Sequence, residues 1–338
     1  MSKKIVIEVI LGLALLCLLV TGIVGVQAFR SPLAQPLNLT LAATETPDPA
    51  QAAQPTAPPT VVPAQKTTCG SSGSQIVLAI GRDQTFWEPP YGADAIRVVK
   101  VDYSNKKITV FAFPRDLFVK TPSLEATYGV KEFRLGELYM FVREKEGNVT
   151  PAADEKASAA LAQTIYDNFG LAVDQYITIE ESVLPKMIDT VGGIEVVIPT
   201  AINENGLNIK AGKQSVDGKT AMMYSRYLKG GLASTDEWGR MDRQALIVKA
   251  FATKLFKPES VLVATDLFDQ IKDAIVTDLS VEQIANLACM GKEISLKDVT
   301  AETINREQVN ILADETMVIK DDQLGPIKTK LDSLFSVK

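Results

Sequence analysis

The stretch from Val9 to Phe29, 21 residues without a single charge, most constrains what this chain can form. As an α-helix it would be about 31 Å long, which matches the apolar core of a bilayer. Two lysines precede it, whereas basic residues are almost absent between its end and Lys66. Because positive charge favours the cytoplasmic side, we expect a cytoplasmic N-terminus over 1–8, a transmembrane helix over 9–29 and the rest of the chain outside the cell membrane.

The same stretch has a second interpretation as a cleaved signal peptide. Val26, Gln27 and Ala28 would form its cleavage site, but they match the small-residue pattern poorly. The length of the apolar run favours an uncleaved anchor. Cys17 lies within the run and follows Leu16 rather than a small residue, so we interpret it as apolar filler and not as a lipidation site.

Proline-rich sequence follows the predicted anchor. Residues 30–74 are dominated by Pro, Ala, Thr, Gln and Ser, and they contain eight of the 17 prolines in the chain. Such a composition cannot bury a core, so we predict an extended spacer between the membrane and a folded domain. Asn38 and Asn148 each begin an N-x-T sequon, which is compatible with an outside location but is too short a pattern to indicate glycosylation.

Strand-like and helical patterns alternate from Gln75 onward. Short β-rich runs predict strands at Gln75–Gly81, Ala95–Val101, Lys107–Phe113, Gln175–Ile179, Ile194–Ile198 and Val309–Leu312. Helical periodicity predicts helices at Arg134–Glu144, Asp154–Phe169 and Ser182–Val191, and again over most of 219–292. This order predicts one α/β domain with a mixed central β-sheet and helices on both faces.

Residues 258–338 are less diagnostic. Ser280 before a helical run and Gln283 three residues later are typical of a capping box. We predict a helical extension that packs on the domain, rather than a separate ligand module. Cys69 and Cys289 both lie on the oxidising side of the membrane if the topology is right, so either a disulfide ties the start of the domain to its end or two unpaired thiols remain.

Composition excludes several kinds of active site. The chain has no histidine, which excludes a Ser-His-Asp or Cys-His nucleophile, a His-ligated metal and an imidazole pH switch. Its three widely separated cysteines form neither a four-cysteine metal site nor a CxxC redox pair. The 35 basic and 41 acidic residues give a net charge of −6 without a basic block, so nucleic acid is not an expected partner.

Two aspartates frame the connection between the first two predicted strands. Asp83 follows the first strand, and Asp94 comes eleven residues later, at the start of the second. Adjacent strands would bring both to one edge of the sheet. Two hard oxygen ligands suit Mg²⁺, with phosphate oxygens and waters completing its coordination. An Asp at a strand end also commonly caps a turn or a helix, so the spacing leaves both interpretations open.

Arginines occur in two places that suit an anion. Pro114 ends the third strand, so Arg115 would project from the sheet edge, where its planar guanidinium either binds a phosphate or pairs with Asp116. A helix that begins near Asp236 would present donors at i, i+3 and i+4, namely Arg240, Arg243 and Gln244. We predict that these three converge at an anion-binding helix N-terminus, although a solvated polar face fits the same periodicity.

These motifs follow one another in an order that resembles a family of bacterial envelope proteins. The order is GRD, an Asp eleven residues further, FPRD, RLGELY, DTVGGIEVVIP, GKQSVDGKTAMMYSR and EWGRMDRQ, behind the predicted anchor. The set closely resembles the LytR-CpsA-Psr family over about residues 75–257, which we predict to be the catalytic domain. The resemblance implies an α/β domain that binds a polyprenyl pyrophosphate in an apolar channel, with Mg²⁺ and several arginines holding the pyrophosphate.

The resemblance also implies roles for particular residues. Asp83 and Asp94 resemble the metal-associated aspartates of the family. The positions that resemble its pyrophosphate-binding residues are Arg115, Arg134, Arg226, Arg240, Arg243 and Gln244. Leu228 stands where the family has the second Arg of an R-x-R motif, and Gly136 stands where it has Asn. Both departures fall in the predicted pyrophosphate clamp.

The implied reaction moves a glycan phosphate from its lipid carrier to a hydroxyl of peptidoglycan and releases polyprenyl phosphate. Positioning and neutralisation by Mg²⁺ and arginines, Arg115 among them, can carry such chemistry without histidine. The candidates for accepting the hydroxyl proton are Asp116, Asp236 and Glu237. Two alternatives remain: a hydrolase that cleaves the lipid pyrophosphate with water, and a non-catalytic tethered protein that binds lipid or glycan, which the two departures favour.

Overall fold

The computed structural model describes residues 30–41, 68–83, 92–147, 150–204, 206–231, 233–255 and 264–336. The predicted transmembrane helix 9–29, Asn148 and residues 42–67 of the predicted spacer lie outside the described residues. Within the described segments, no helix is both long enough and apolar enough to cross a membrane.

Each strand and helix predicted within the described residues from Gln75 onward is present, with its ends shifted by at most a few residues. The strands are β1 (Ser74–Arg82), β2 (Ala93–Asp102), β3 (Lys107–Phe113), β4 (Phe118–Lys120), β5 (Glu132–Arg134), β6 (Gln175–Glu180), β7 (Ile194–Ile198), β8 (Ile202–Glu204), β9 (Leu207–Ile209), β10 (Gly212–Val216), β11 (Ile275–Thr277), β12 (Val299–Thr303), β13 (Val309–Ile311) and β14 (Met317–Ile319). The α-helices are α1 (Glu125–Tyr128), α2 (Leu135–Lys145), α3 (Pro151–Phe169), α4 (Leu184–Thr190), α5 (Gly218–Arg226), α6 (Ala233–Leu255), α7 (Ala264–Ile271), α8 (Val281–Glu293) and α9 (Leu324–Phe335).

Six strands form the central sheet in the order β11-β6-β1-β2-β3-β12. The pairs β1–β2, β2–β3 and β6–β11 are antiparallel, whereas β1–β6 and β3–β12 are parallel, so the sheet is mixed as predicted. Both edge strands come from residues 258–338, which we had expected to form a helical extension. These strands have only three and five residues, too few for a clear alternating pattern.

Alternating side chains of β2 separate the two faces of the sheet. Ile96 and Val98 are 1% and 0% exposed and belong to the main core, to which α2, α3 and α9 contribute. The residues that alternate with them, Arg97 and Val99, point to the second face. There Arg97 contacts α6, which forms a second hydrophobic cluster with α4, α5 and β7–β10, and Met290 of α8 packs against the far end of β2. Helices thus cover both faces, as predicted.

The second face is only partly covered in the region that faces α6. Small or β-branched side chains of three central strands stay half-buried there: Ala79, Ala95, Val99, Val110 and Ala112. The register places them side by side, because Ala79 and Ala112 flank Arg97 on the two neighbouring strands. We call this surface the apolar strip.

Residues 30–41, which we had assigned to the spacer, lie against the folded domain. The N–H of Leu37 donates to Asp278 Oδ2 at 3.0 Å, and the N–H of Thr40 donates to Gln163 Oε1 at 2.7 Å. Leu37 also packs against the main core. The start of the predicted spacer therefore belongs to the domain surface, since its backbone and apolar side chains find partners there.

Two local features of the sequence are present around α8. Ser280 Oγ accepts the N–H of Gln283 at 3.2 Å, and Gln283 Oε1 accepts the N–H of Ser280 at 2.8 Å, so the predicted capping box begins this helix. Cys289 of α8 forms a disulfide with Cys69, with the Cα atoms 5.7 Å apart. The bond fastens the helix to the chain just before β1.

Candidate active site

The two predicted metal-binding aspartates lie at one end of the central sheet. Because β1 and β2 are antiparallel, the end of β1 adjoins the start of β2, and the N–H of Asp83 donates to the Gly92 carbonyl at 2.9 Å. Asp83 and Asp94 are 8% and 7% exposed. At the end of α5, Nη2 of Arg226 pairs with Asp83 and lies 3.9 Å from Asp94 Oδ2. The topology therefore brings together two residues that the sequence related only by their spacing.

Asp94 is the centre of a charge cluster. Nη1 of Arg115 pairs with its Oδ1, and Nη1 of Arg240 lies 3.9 Å from its Oδ2 and donates to its carbonyl at 3.1 Å. Burial by itself raises the pKa of Asp94, but the charges of Arg115, Arg240 and Arg226 outweigh it and hold the pKa below its ordinary value. Asp94 is therefore a carboxylate at neutral pH.

Arg115 and Asp116 follow β3 at the same end of the sheet. Nε of Arg115 lies 3.4 Å from Asp116 Oδ2, so the guanidinium pairs with its neighbour as well as with Asp94. Burial lowers the pKa of Arg115, yet the charges of these two aspartates more than reverse that effect and raise it. Burial also raises the pKa of Asp116, against the effect of Arg115. The two interpretations of Arg115 are thus compatible, since it is paired with Asp116 within an anion-binding environment.

A small cavity opens beside this pair. Its lining residues are Gly92, Ala93, Asp94, Arg115, Asp116, Gly136 and Glu137. The N–H of Gly136 donates to the Arg115 carbonyl at 2.8 Å. A β-carbon at position 136 would lie 2.9 Å from both the Ala93 carbonyl oxygen and the Arg115 β-carbon. Glycine at this departure from the family pattern is therefore needed for the close approach of α2 to the strand ends.

The helix α6 is kinked at Asp236, whose backbone angles are not helical (φ −144°, ψ 19°). Glu237 is 0% exposed, and its Oε2 and Oε1 accept from Nε and Nη2 of Arg240 at 2.8 and 2.7 Å. Its Oε1 also accepts the N–H of Arg115 at 3.3 Å. Glu237 is thus a buried counter-ion that holds Arg240 beside Asp94. This position does not suit the predicted role of Glu237 as a proton acceptor, because both of its oxygens are already occupied.

The predicted convergence of Arg240, Arg243 and Gln244 does not occur. Side chains at i+3 and i+4 are rotated by about −60° and +40° from the first, so they flank it on opposite sides. Nη2 of Arg243 pairs with Asp236 at 2.6 Å, and its guanidinium lies 5.0 Å from the ring centroid of Tyr227. Gln244 faces the second side of the sheet. Of the three, only Arg240 reaches Asp94.

Arg134 does not contact Asp94 directly. Its Nη2 donates to the Asp314 carbonyl at 2.6 Å and to Thr316 Oγ1 at 2.9 Å, and its Nη1 pairs with Glu137 at 3.2 Å. These partners hold the side chain toward the β13–β14 hairpin and not toward Asp94. Through Glu137, Arg134 still borders the small cavity, and its contact with pyrophosphate stays a prediction.

Two charged residues near the cluster were not predicted from the sequence. Glu181 follows β6, whose end lies beside the end of β1 because the two strands are parallel. Burial and the nearby charge of Asp94 raise the pKa of Glu181 to about 7. Arg97 lies on the second face, and its Nη2 donates to Gln244 Oε1 at 3.0 Å. Neither residue stands in a recognisable motif, and only strand pairing connects them to the site.

Asp83 and Asp94 fit a magnesium ion that is shared with a phosphate ligand. Mg²⁺ in proteins commonly takes one or two carboxylates and completes its coordination with phosphate oxygens and waters. Both carboxylates pair with arginines, whose guanidiniums also suit phosphate oxygens. Within the described segments, no group of three or more Asp, Glu, Cys or His side chains is arranged to hold a metal. The donor set therefore suits a metal–phosphate site and not a cage built by the protein alone.

Several known proteins have sequences similar to this chain. The model of the LytR_cpsA_psr family matches residues 37–333, a range that includes both edge strands of the sheet. The chain is 25% identical over 197 residues to the polyisoprenyl-teichoic acid–peptidoglycan teichoic acid transferase TagU of Enterococcus faecalis, and the match covers 58% of each chain. It is 31% identical over 156 residues to the probable cell wall biosynthesis protein LcpB of Corynebacterium glutamicum, covering 43% of this chain and 37% of that one.

Solved structures share the fold. The crystal structure of TagV from Bacillus subtilis matches with a TM-score of 0.60 at 18% identity, covering 79% of this chain and 99% of that one. A structure of TagT bound to LI-WTA matches with a TM-score of 0.55 at 18% identity, covering 81% and 95%. Fold, motif order and a family match over most of the chain agree, and the protein belongs to the LytR-CpsA-Psr family.

Proposed function

We propose that this protein is a membrane-anchored phosphotransferase of the cell envelope. It would move a glycan phosphate from a polyprenyl pyrophosphate carrier to a peptidoglycan hydroxyl and release polyprenyl phosphate. The observation that carries this proposal is the cluster of guanidiniums around Asp83 and Asp94, at the end of a sheet whose second face presents the apolar strip. The cluster suits a pyrophosphate, and the strip suits the hydrocarbon chain attached to it. Relatives named as teichoic acid transferases favour the same class of substrate.

The arginines of the cluster would have different roles, depending on how exposed each side chain is. The side chains of Arg226 and Arg115 are 32% and 20% exposed, whereas that of Arg240 is 2% exposed. Arg115 and Arg226 are therefore the residues that would bind the pyrophosphate oxygens. Arg240 would not contact the pyrophosphate but would fix the position of Asp94.

Asp83 and Asp94 would hold Mg²⁺, which, when bound, neutralises charge on the pyrophosphate oxygens. Arg115 and Arg226 would then exchange part of their pairing with the aspartates for bonds to non-bridging phosphate oxygens. Two guanidiniums on different elements fix the orientation of the phosphoryl group relative to an incoming hydroxyl. Such catalysis needs no covalent intermediate on the protein, which agrees with the absence of histidine from the sequence.

Asp116 is the best placed of the three predicted proton acceptors. Glu237 and Asp236 are each engaged with an arginine of α6. Asp116 pairs more loosely with Arg115, at 3.4 Å, and it lines the small cavity, where burial raises its pKa. A carboxylate with a raised pKa takes a proton from a hydroxyl more readily, so we assign this role to Asp116.

We place the domain outside the cell membrane, anchored by the predicted helix 9–29. The disulfide of Cys69 with Cys289 favours an oxidising compartment. Residues 30–41 run onto the domain directly after that helix, so the domain would sit close to the membrane surface. This closeness would let a lipid substrate pass from the bilayer onto the apolar strip.

A single assay distinguishes this function from its two alternatives. The full chain in detergent would be incubated with a glycan-bearing polyprenyl pyrophosphate and Mg²⁺, with and without peptidoglycan, and released polyprenyl phosphate would be quantified. Release that depends on peptidoglycan and attaches the glycan to it supports the transferase. Equal release in water alone would indicate a hydrolase. Binding without release would indicate a tethered binding protein.

Variants connect the activity to the site. Asp94→Asn and Arg115→Gln should each lower turnover by at least about 100-fold, because each removes a charge that faces the reacting phosphates. Lys107→Gln is the matched control, since Lys107 is exposed at the opposite end of β3. Turnover that survives both site variants, or that does not require a divalent cation, would contradict the proposed site.

A further inference from the structure

Arg97 is a charged residue in an apolar setting. It lies in the middle of β2, and its partners on the two neighbouring strands are Ala79 and Ala112. All three residues are half-buried on the second face of the sheet. The guanidinium therefore lies along the apolar strip, beside side chains that cannot balance its charge.

The hydrogen bonds of Arg97 go to neutral oxygens. Its Nη2 donates to Gln244 Oε1 at 3.0 Å and approaches the Met241 carbonyl at 3.5 Å. Among the residues that the structure describes, no carboxylate forms an ion pair with it, whereas Arg115, Arg226, Arg240 and Arg243 each pair with an aspartate or a glutamate. Burial and the positive charge of Arg240 lower the pKa of Arg97, and the carboxylates of Glu181 and Glu237 only partly offset this effect. A desolvated guanidinium whose hydrogen bonds go to neutral oxygens is costly, so a bound anion would be stabilised beside Arg97.

The position of Arg97 indicates which anion would supply that charge. Gln244 follows Arg240 by about one turn of α6, so Arg97 lies next to the site along this helix. Along β2 its backbone is three residues from that of Asp94, which is roughly 10 Å. Arg97 thus lies on the surface that suits a hydrocarbon chain, about one turn of α6 from the arginine that contacts Asp94.

We propose that Arg97 binds the lipid-side phosphate of the substrate and stabilises it as the leaving group. This inference rests on the proposed function. Of the two phosphates, the one bonded to the polyprenyl chain must lie nearer the apolar strip. Arg97 would exchange the neutral oxygens of Gln244 and Met241 for two oxygens of that phosphate, which its planar fork matches.

The charge that Arg97 would meet develops during the reaction. The acceptor oxygen forms a bond to the glycan-side phosphorus, and the bond from that phosphorus to the bridging oxygen breaks. The electron pair stays on the bridging oxygen, so polyprenyl phosphate leaves with one more negative charge, and the hydroxyl proton passes to a base of the site. A cation beside the leaving phosphate therefore stabilises the transition state more than it stabilises the bound substrate.

The test uses the full chain in detergent with undecaprenyl phosphate and glycan-bearing undecaprenyl pyrophosphate as probes. We expect Arg97→Gln to weaken binding of the monophosphate by about 10- to 100-fold, the range for one charge-assisted bond. It should also lower kcat more than it raises KM. Arg97→Lys should retain part of the binding, because it keeps the charge but loses the fork. Lys107→Gln again serves as the control for loss of one exposed charge.

The outcomes separate this inference from the proposed function. A wild-type chain that binds neither lipid would overturn both. A wild-type chain that binds and turns over the pyrophosphate, with Arg97→Gln and Arg97→Lys equal to it, would overturn only the role of Arg97. A loss that Gln244→Ala reproduces in full, with no further loss in the double variant, would show that Arg97 only positions Gln244 and would also overturn the assignment. If Arg97→Gln fails to fold, as judged by its Tm, Arg97→Lys decides the question alone.

Discussion

Replacing Glu237 by glutamine would distinguish the two roles considered for this residue. Its side chain is 0% exposed, and its carboxylate receives two N–H bonds from Arg240, which is 1% exposed. Glutamine keeps one acceptor oxygen but turns an NH₂ group toward a guanidinium that has only donors. The substitution therefore removes a buried negative charge and places the NH₂ group of glutamine against the N–H groups of Arg240, with almost no change in side-chain volume.

The cost follows from the burial of the pair. Removing one partner of a buried ion pair destabilises a protein by about 3–5 kcal/mol, because the remaining charge stays desolvated. The carboxylate of Asp94, 3.9 Å from Arg240, offsets part of this loss, so we expect a value near the lower end of that range. At roughly 2–4 °C for each kcal/mol, a loss of about 3 kcal/mol lowers Tm by about 6–12 °C.

Thermal unfolding followed by tryptophan fluorescence would measure this shift, with Trp238 next to the substituted residue as a reporter. Glu302→Gln is the matched control, since Glu302 pairs with Lys330 at side-chain exposures of 38% and 33% and should change stability by less than about 1 kcal/mol. A Tm within about 2 °C of wild type, combined with complete loss of turnover, would refute the structural role of Glu237 and favour the proton acceptor predicted from the sequence.

Three further predictions concern pH, the disulfide and a close approach. Glu181→Gln should raise Tm at pH 8 and leave it nearly unchanged at pH 4. The folded state raises the pKa of this carboxyl from 4.5 to about 7, so the wild type loses stability as pH rises through that window. A variant whose Tm follows the same pH profile as the wild type would contradict this prediction. The double variant Cys69→Ser/Cys289→Ser should lose about 2–5 kcal/mol, measured by Tm without reductant, and a Tm equal to that of wild type would argue against the bond. Gly136→Ala should cost about 1–3 kcal/mol, since its β-carbon would lie 2.9 Å from a carbonyl of β2, whereas Gly325→Ala, with nothing within 4 Å, should not destabilise.

Short-range features were predictable from the sequence. The strands β1 and β3 lie within one residue of their predicted ends, and the Ser280–Gln283 capping box is present. Such features depend on periodicity and on contacts within about one helical turn, and both are determined by residues that are close together in the sequence. The motif order likewise sufficed for the family, since the order of motifs along a chain needs no knowledge of which segments meet.

Only the tertiary structure decided which charges face one another. Arg240 and Arg243 stand three residues apart on one helix, yet one pairs with Glu237 and the other with Asp236, on different sides of it. The edge strands β11 and β12 were missed because a short strand at an edge is specified by its neighbour more than by its own pattern.

Arg97 illustrates the general reason for this division. In the sequence it is one polar residue between two apolar ones, as in any half-exposed strand. Its significance comes from the strands on either side, which place alanines next to it, and from Met241 and Gln244 of α6, which are 144 and 147 positions away along the chain. A repeating pattern in the sequence determines the local conformation of a segment, whereas ion pairs depend on distances of a few ångströms between segments that only the folded chain brings together.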